Sequence, residues 1–212
     1  MQASGSNYTL GIDVSHYQGE VNWPAVAAAG VRFAFIKATD GIQDIDPRFA
    51  QNWAGAKAAG IVRGAYHFFR PALDAQRQAA HFVSVVTMDD MALPPALDVE
   101  VTDGLDRTAL QDGIRTWLES ARAACGCRPV LYTDPSFWND NVAADFSDYA
   151  LWLACYADPP KVPATWRAWT FWQHTDAGEV NGISGQVDLD YCALPYEDLR
   201  RGQLPVPGQS LA

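Results

Sequence analysis

The chain has 212 residues, 49% of them apolar and 19% charged. This composition excludes disorder, and a chain of this length buries roughly 70% of its unfolded surface in a single domain. Asp and Glu outnumber Lys and Arg by 25 to 15, a formal charge of −10, which excludes nucleic acid and an anionic membrane surface as partners; with no apolar run of about 18 residues, membrane insertion is excluded too.

Residues 1–9 are polar and lack the basic and apolar regions of a signal peptide, so they read as an N-terminal extension. Export then needs another route, or a leader outside this sequence. From residue 10 onward, short apolar runs read as buried strands. They are Leu10–Val14, Phe33–Lys37, Val62–Phe68, Ala96–Val101, Val130–Thr133, Ala150–Cys155, Trp169–Gln173 and Val187–Tyr191.

Helical patterns fill the early intervals. Asn22 and Pro24 open the first and Gly30 closes it; Asp46 and Pro47 open the second and Gly60 closes it. Ala75, Ala79, Phe82, Val83 and Val86 stripe a third. Thr108 and Gln111 form a capping box for a fourth, whose apolar stripe is Leu110, Ile114, Trp117, Leu118 and Ala121. Residues 202–212, with Pro205, Pro207 and Gly208, read as a linker-like tail.

Eight strands with helices between them imply an α/β parallel barrel. The later strand intervals are too short for a helix and two loops. The barrel is therefore expected to be irregular, with incomplete helices around the last three strands. The alternative, an open doubly wound sheet, would want a glycine-rich turn after the first strand, and Asp13-Val14-Ser15-His16 is not one. Cys125, Cys127, Cys155 and Cys192 form no metal-binding pattern and read as buried thiols with at most one bridge. No cofactor is expected, and a monomer is expected.

The active site of a parallel barrel lies at the C-terminal strand ends. Asp13, Lys37, Asp40, Tyr66, His67, Asp98, Glu100, Tyr132, Trp152, Trp172, Gln173, Asp188 and Asp190 fall there. Asp98 and Glu100 are two apart on one strand and share a face, with Cα atoms about 6.6 Å apart. If Leu97, Val99 and Val101 face the helices, both carboxyls face the lumen. Acidic-x-acidic spacing also occurs at Asp44/Asp46 and Asp188/Asp190. The first is explained by capping, and only one member of the second is expected to face inward. Two inward charges on a buried strand are costly unless they work, and two carboxyls in one cleft suit glycoside hydrolysis. The spacing fits retaining or inverting geometry, depending on rotamers.

His67 is expected to point away from the face that Tyr66 takes. His16 lies beside the rim, where it could contact substrate, and Lys37 is expected to pair with a carboxylate. Two other readings stand beside the glycosidase. One is a catalytically silent glycan-binding protein. The other is a metal-dependent barrel hydrolase with Asp13, His67, Asp98, Glu100 and Asp188 as ligands.

Eight segments in order, Gly11-Ile12-Asp13-Val14-Ser15-x-x-Gln18, Phe35-Ile36-Lys37-Ala38-Thr39-Asp40-Gly41, Gly64-Ala65-Tyr66-His67-Phe68, Leu97-Asp98-Val99-Glu100, Leu131-Tyr132-Thr133, Leu151-Trp152-Leu153-Ala154-x-Tyr156, Phe171-Trp172-Gln173 and Val187-Asp188-Leu189-Asp190, resemble glycoside hydrolase family 25, the Chalaropsis-type lysozymes. The resemblance spans residues 10–192. It implies a flattened barrel over 10–201 that acts as an N-acetylmuramidase on the glycan strand of bacterial peptidoglycan. It further implies Glu100 as general acid, Asp98 as its partner and Asp13 and Asp188 as supporting carboxylates. Tyr66, Tyr132, Trp152, Tyr156 and Trp172 become sugar-facing aromatics. The place of action it implies is the cell wall or periplasm, reached by secretion or delivery. The family often has Asn where this chain has Asp190.

Overall fold

The computed structural model describes residues 8–89, 92–202 and 204. Its strands are β1 Thr9–Val14, β2 Phe33–Asp40, β3 Asp44–Ile45, β4 Val62–Phe68, β5 Ala96–Asp98, β6 Val130–Thr133, β7 Ala150–Ala154, β8 Phe171–Gly178 and β9 Val187–Cys192. Pairing runs β1-β9-β8-β7-β6-β5-β4-β2 and closes through β1 with β2, so eight strands form a closed mixed barrel. β3 extends β2 outside the ring as a short hairpin.

One strand departs from the parallel expectation. β9 is antiparallel to both β1 and β8. Only residues 179–186 join β8 to β9, and a parallel crossover needs a dozen or more residues. The last intervals are otherwise as the spacing requires. Between β6 and β7 lie a single turn, Pro135–Phe137, and a π-helical turn, Trp138–Val142; no helix separates β7 from β8.

Strand alternation builds two cores. Ile12, Val14, Ala34, Ile36, Leu97, Val99, Leu131, Leu151 and Leu153 point outward into the helix layer. Phe33, Phe35, Val62, Ala96, Val130, Trp152 and Phe171 point inward and fill the lumen. Gly11 and Gly64 leave room for the Phe33 and Phe35 rings, where a Cβ would collide with them.

Four helices of six residues or more cover the first half: α1 Trp23–Ala28, α2 Phe49–Ala58, α3 Ala75–Val85 and α4 Arg107–Cys125. The expected α4 stripe of Leu110, Ile114, Trp117, Leu118 and Ala121 is buried in full. Its N-cap, however, is Asp106, which accepts from the Ala109 N–H at 2.9 Å, so Thr108 lies inside the first turn. α2 starts three residues past Asp46, whose carboxylate caps the preceding turn through the Arg48 N–H.

The fourth expected strand is shorter than the apolar run, ending at Asp98. All four cysteines are free thiols. Residues 1–7 of the expected N-terminal extension lie outside the described residues. So does most of the 202–212 tail, but Leu204 packs against the lumen cluster, which a pure linker would not do. No helix among the described residues is long and apolar enough to cross a membrane.

Candidate active site

The parallel strands finish at one end of the barrel, and antiparallel β9 starts there. That direction brings Asp188 into register with Asp13 and Asp190 with Gly11 and Gln173. Asp188 and Asp190, two residues apart, therefore face the same lumen. The expectation that only one points inward fails because alternation places both on one face.

A cleft of about 250 Å³ opens at this end. Asp13, Asp98, Glu100 and Asp188 line it, with Tyr66, Tyr132, Trp152, Tyr156 and Gln173. Ser15, Tyr17, Gln18, Lys37 and Phe68 complete the rim. Of these, Tyr17 is a rim residue that sequence reading did not single out, and Gln173, expected at the strand end, forms the floor.

Asp98 is the last residue of β5 and only 6% exposed; its Oδ1 has no hydrogen-bond partner among the described residues. Glu100 lies just past the strand, exposed at the mouth. The backbone around them is pinned from both sides. Phe69 N–H donates to Asp98 C=O at 3.0 Å, Val99 N–H donates to Tyr132 C=O at 3.0 Å, and Thr133 Oγ1 donates to Val99 C=O at 2.9 Å. Neighbouring strands thus fix the pair even though only one member is in the ladder.

Burial pushes the Asp98 carboxyl well above its ordinary value, and the Glu100 charge adds to that. Burial also raises Glu100, with Lys37 opposing and Asp134 reinforcing. Carboxyls this close titrate as a pair and resist double ionisation. Lys37 does not join them directly. It donates to Asp40 Oδ2 at 3.1 Å and lies over the Phe68 ring.

A second carboxyl group sits deeper. Asp13 is raised by burial, then by the charges of Asp190 and Asp188. Burial pushes Asp190 up to about 7, with the Trp152 indole opposing. Gln173 ties this group to the aromatic wall. Its Nε2 donates to Asp13 Oδ2 at 2.7 Å, while its Oε1 accepts from Tyr132 OH at 3.1 Å and Tyr156 OH at 3.3 Å. Burial raises the Tyr66 and Tyr132 hydroxyls, so both remain donors.

Trp172 and His16, expected at the substrate, fall outside the cleft, and His67 points away from it as its alternation with Tyr66 requires. Trp172 is buried in the outer core, its indole donating to the Cys155 carbonyl; Phe171 and Gln173 take the inward positions on either side of it. His16 lines the neighbouring groove and bonds Asp46. His67 points outward, with Thr39 on Nδ1 at 2.7 Å, Gln78 on Nε2 at 3.0 Å and Trp117 stacked on its ring. Burial lowers its pKa to about 4. The metal reading needed His67 beside Asp13 and Asp98, and the sheet itself separates them.

An α/β barrel whose open end holds a close carboxyl pair beneath an aromatic wall has the parts that glycoside hydrolysis uses. The comparisons with known proteins place it more closely. The model of the family described as Glycosyl hydrolases family 25 matches residues 12–183, and the chain belongs to that family. It is 41% identical over 198 residues to Lysozyme M1 of Streptomyces globisporus, covering 84% of this chain and 65% of that protein. It is 32% identical over 200 residues to the N,O-diacetylmuramidase of Chalaropsis sp, covering 84% and 95% respectively. The crystal structure of the bacterial lysozyme from Streptomyces coelicolor superposes with a TM-score of 0.88 at 36% identity, covering 92% of this chain and 97% of that one.

Proposed function

We propose that this chain hydrolyses bacterial peptidoglycan as an N-acetylmuramidase, cutting the β-1,4 bond between N-acetylmuramic acid and N-acetylglucosamine. The observation that carries the reading is the Asp98/Glu100 pair, one carboxyl buried and one exposed at the mouth of the same cleft.

Glu100 is the member that reaches a leaving oxygen, and it is the general acid. Substrate covering the mouth strips water from it, which raises its pKa further and keeps it protonated. Asp98 is its partner, orienting the substrate acetamide or stabilising the cation-like transition state. Asp13 and Asp188 support the cleft from β1 and β9. Tyr66, Tyr132, Trp152 and Tyr156 form the sugar-facing wall. The reaction so drawn calls on no cofactor, acts where peptidoglycan is, at the cell wall or in the periplasm, and occupies residues 10–201 as one catalytic unit.

Mass spectrometry of digested peptidoglycan tests this reading. New reducing ends on N-acetylmuramic acid are expected. Reducing ends on N-acetylglucosamine, or no glycan cleavage, would refute it.

A further inference from the structure

A bulge in β2 sets an ion cluster beside the catalytic pair. The register of β2 against β4 runs Lys37 to Tyr66, Thr39 to His67 and Asp40 to Phe68, so Ala38 is an extra residue. In an even strand, positions three apart face opposite sides. With the extra residue, Ala38 and Thr39 both lie on the helix side, Ala38 in the outer core and Thr39 bonded to His67. Lys37 and Asp40 therefore meet on the side of Tyr66 and Phe68.

Asp40 there collects two cations. Its Oδ2 accepts from Lys37 Nζ at 3.1 Å and from Arg70 Nη2 at 3.3 Å, and its Oδ1 accepts from Arg70 Nε at 2.7 Å. The Phe68 ring holds the same two groups, with Lys37 Nζ 4.6 Å and Arg70 Cζ 4.4 Å from its centroid. Burial works against ionisation of Asp40, but the Arg70 and Lys37 hydrogen bonds overcome it and hold its carboxyl below its ordinary value. Asp40 is therefore charged at neutral pH.

These charges bear on Glu100. β2 presents Lys37 and Asp40, the segment after β4 presents Arg70, β5 ends in Asp98, Asp134 follows β6 and Asp188 lies on β9; the Tyr132 and Tyr156 hydroxyls complete the surroundings. Lys37 and Arg70 are the cations among these groups. Each opposes the rise that burial gives to Asp98 and Glu100. An acid that must stay protonated needs those cations restrained.

We propose that Asp40 is a positioning residue for the reaction: seated by the bulge at Ala38, it holds Lys37 and Arg70 to itself and keeps Lys37 from pairing with Glu100. The inference rests on the muramidase reading, with Glu100 as its acid.

The test is the pH dependence of kcat/KM on soluble glycan, which reports the acid of the free enzyme. Wild type, Asp40→Asn, Lys37→Met and the double variant are compared, with a thermal melt of each. Asp40→Asn keeps the shape and removes the charge. It should move the alkaline midpoint down by about one unit, so that the rate at a fixed pH on that limb falls about tenfold while the rate at the optimum changes little. Lys37→Met should move the midpoint up, and the double variant should recover about half of the downward shift, Arg70 accounting for the rest. A midpoint that Asp40→Asn leaves in place, whether or not the rate falls at every pH, overturns the proposal and leaves the muramidase reading intact. So does a double variant whose midpoint lies as low as that of Asp40→Asn. If Asp40→Asn fails to fold, Lys37→Met decides alone, and an unmoved midpoint overturns the proposal. A wild-type enzyme that does not cleave the glycan overturns both.

Discussion

The indole N–H of Trp152 on β7 donates to Oδ1 of Asp190 on β9 at 2.7 Å, inside the barrel and over the intervening strand β8. This bond anchors an aromatic floor. Trp152 stacks on Phe35 at 4.1 Å between centroids and meets Tyr132 edge-on at 4.5 Å. Asp190 is fully buried, and its Oδ2 has no hydrogen-bond partner among the described residues. Ionising it therefore puts a charge next to Asp13 and Asp188 with little to compensate.

That cost has a definite sign. The folded Asp190 pKa of about 7 lies above the unfolded value of about 3.9. Its contribution to stability is complete below the unfolded value and is lost as pH rises through the folded one. Asp190→Asn keeps an acceptor for the Trp152 indole and removes the charge. The variant should melt several degrees above wild type at pH 8, with the gap closing toward pH 4. Identical melting temperatures at pH 8 would show that Asp190 pays no ionisation penalty there.

Glu100→Gln should leave the fold intact and remove the proposed proton donor. General acid catalysis contributes roughly 10²–10⁴-fold, and a loss of that order is expected in a turbidity assay. Because Glu100 is raised by burial, wild-type activity should decline on the alkaline side as the acid loses its proton. A folded variant keeping more than about a tenth of the rate excludes Glu100 from that role.

Tyr156 and Trp172 should separate cleanly. Tyr156 is exposed at the cleft and hydrogen-bonded to Gln173, so Tyr156→Ala should raise KM several-fold with little change in melting temperature. Trp172 is buried outside the lumen, so Trp172→Leu should lower the melting temperature and leave KM near wild type. Steady-state kinetics on soluble glycan with a parallel melt decides; the reverse pattern would return Trp172 to the substrate.

His67→Ala should destabilise the fold by roughly 2–4 kcal/mol, since it empties a packed site and strands the partners of both ring nitrogens. Turnover per folded molecule should stay unchanged. Its lowered pKa gives the opposite pH dependence to Asp190. The stability that neutral His67 supplies is present above about pH 6.5 and lost as pH falls toward 4. Denaturant melts between pH 4 and 7 check both effects.

Truncation after Arg201 should cost a few degrees of melting temperature, because Leu204 covers part of the lumen cluster. An unchanged melt would make the whole tail a spacer.

Much of this protein was legible from local pattern alone. Val62–Phe68 and Val130–Thr133 are the strands their apolar runs mark out, and α4 buries the five residues its stripe names. These features depend on neighbours one to four residues apart, which is the range over which alternation and helical periodicity act. The Asp98/Glu100 pair was legible for the same reason.

Alternation says which residues share a face; it does not say which face is the lumen. Phe171, Trp172 and Gln173 show the difference. Phe171 packs inside the barrel on Phe33 and Phe35, at 5.4 and 5.0 Å between centroids. That packing sends Trp172 outward and aims Gln173 at Asp13. The place that β9 takes in the ring is equally non-local. The short β8–β9 connection forces β9 to run antiparallel, and closure against β1 then carries Asp188 and Asp190 to the carboxyl end. Both outcomes rest on contacts between residues more than 130 positions apart along the chain. Only ring closure brings such residues together, so only the tertiary structure could decide them.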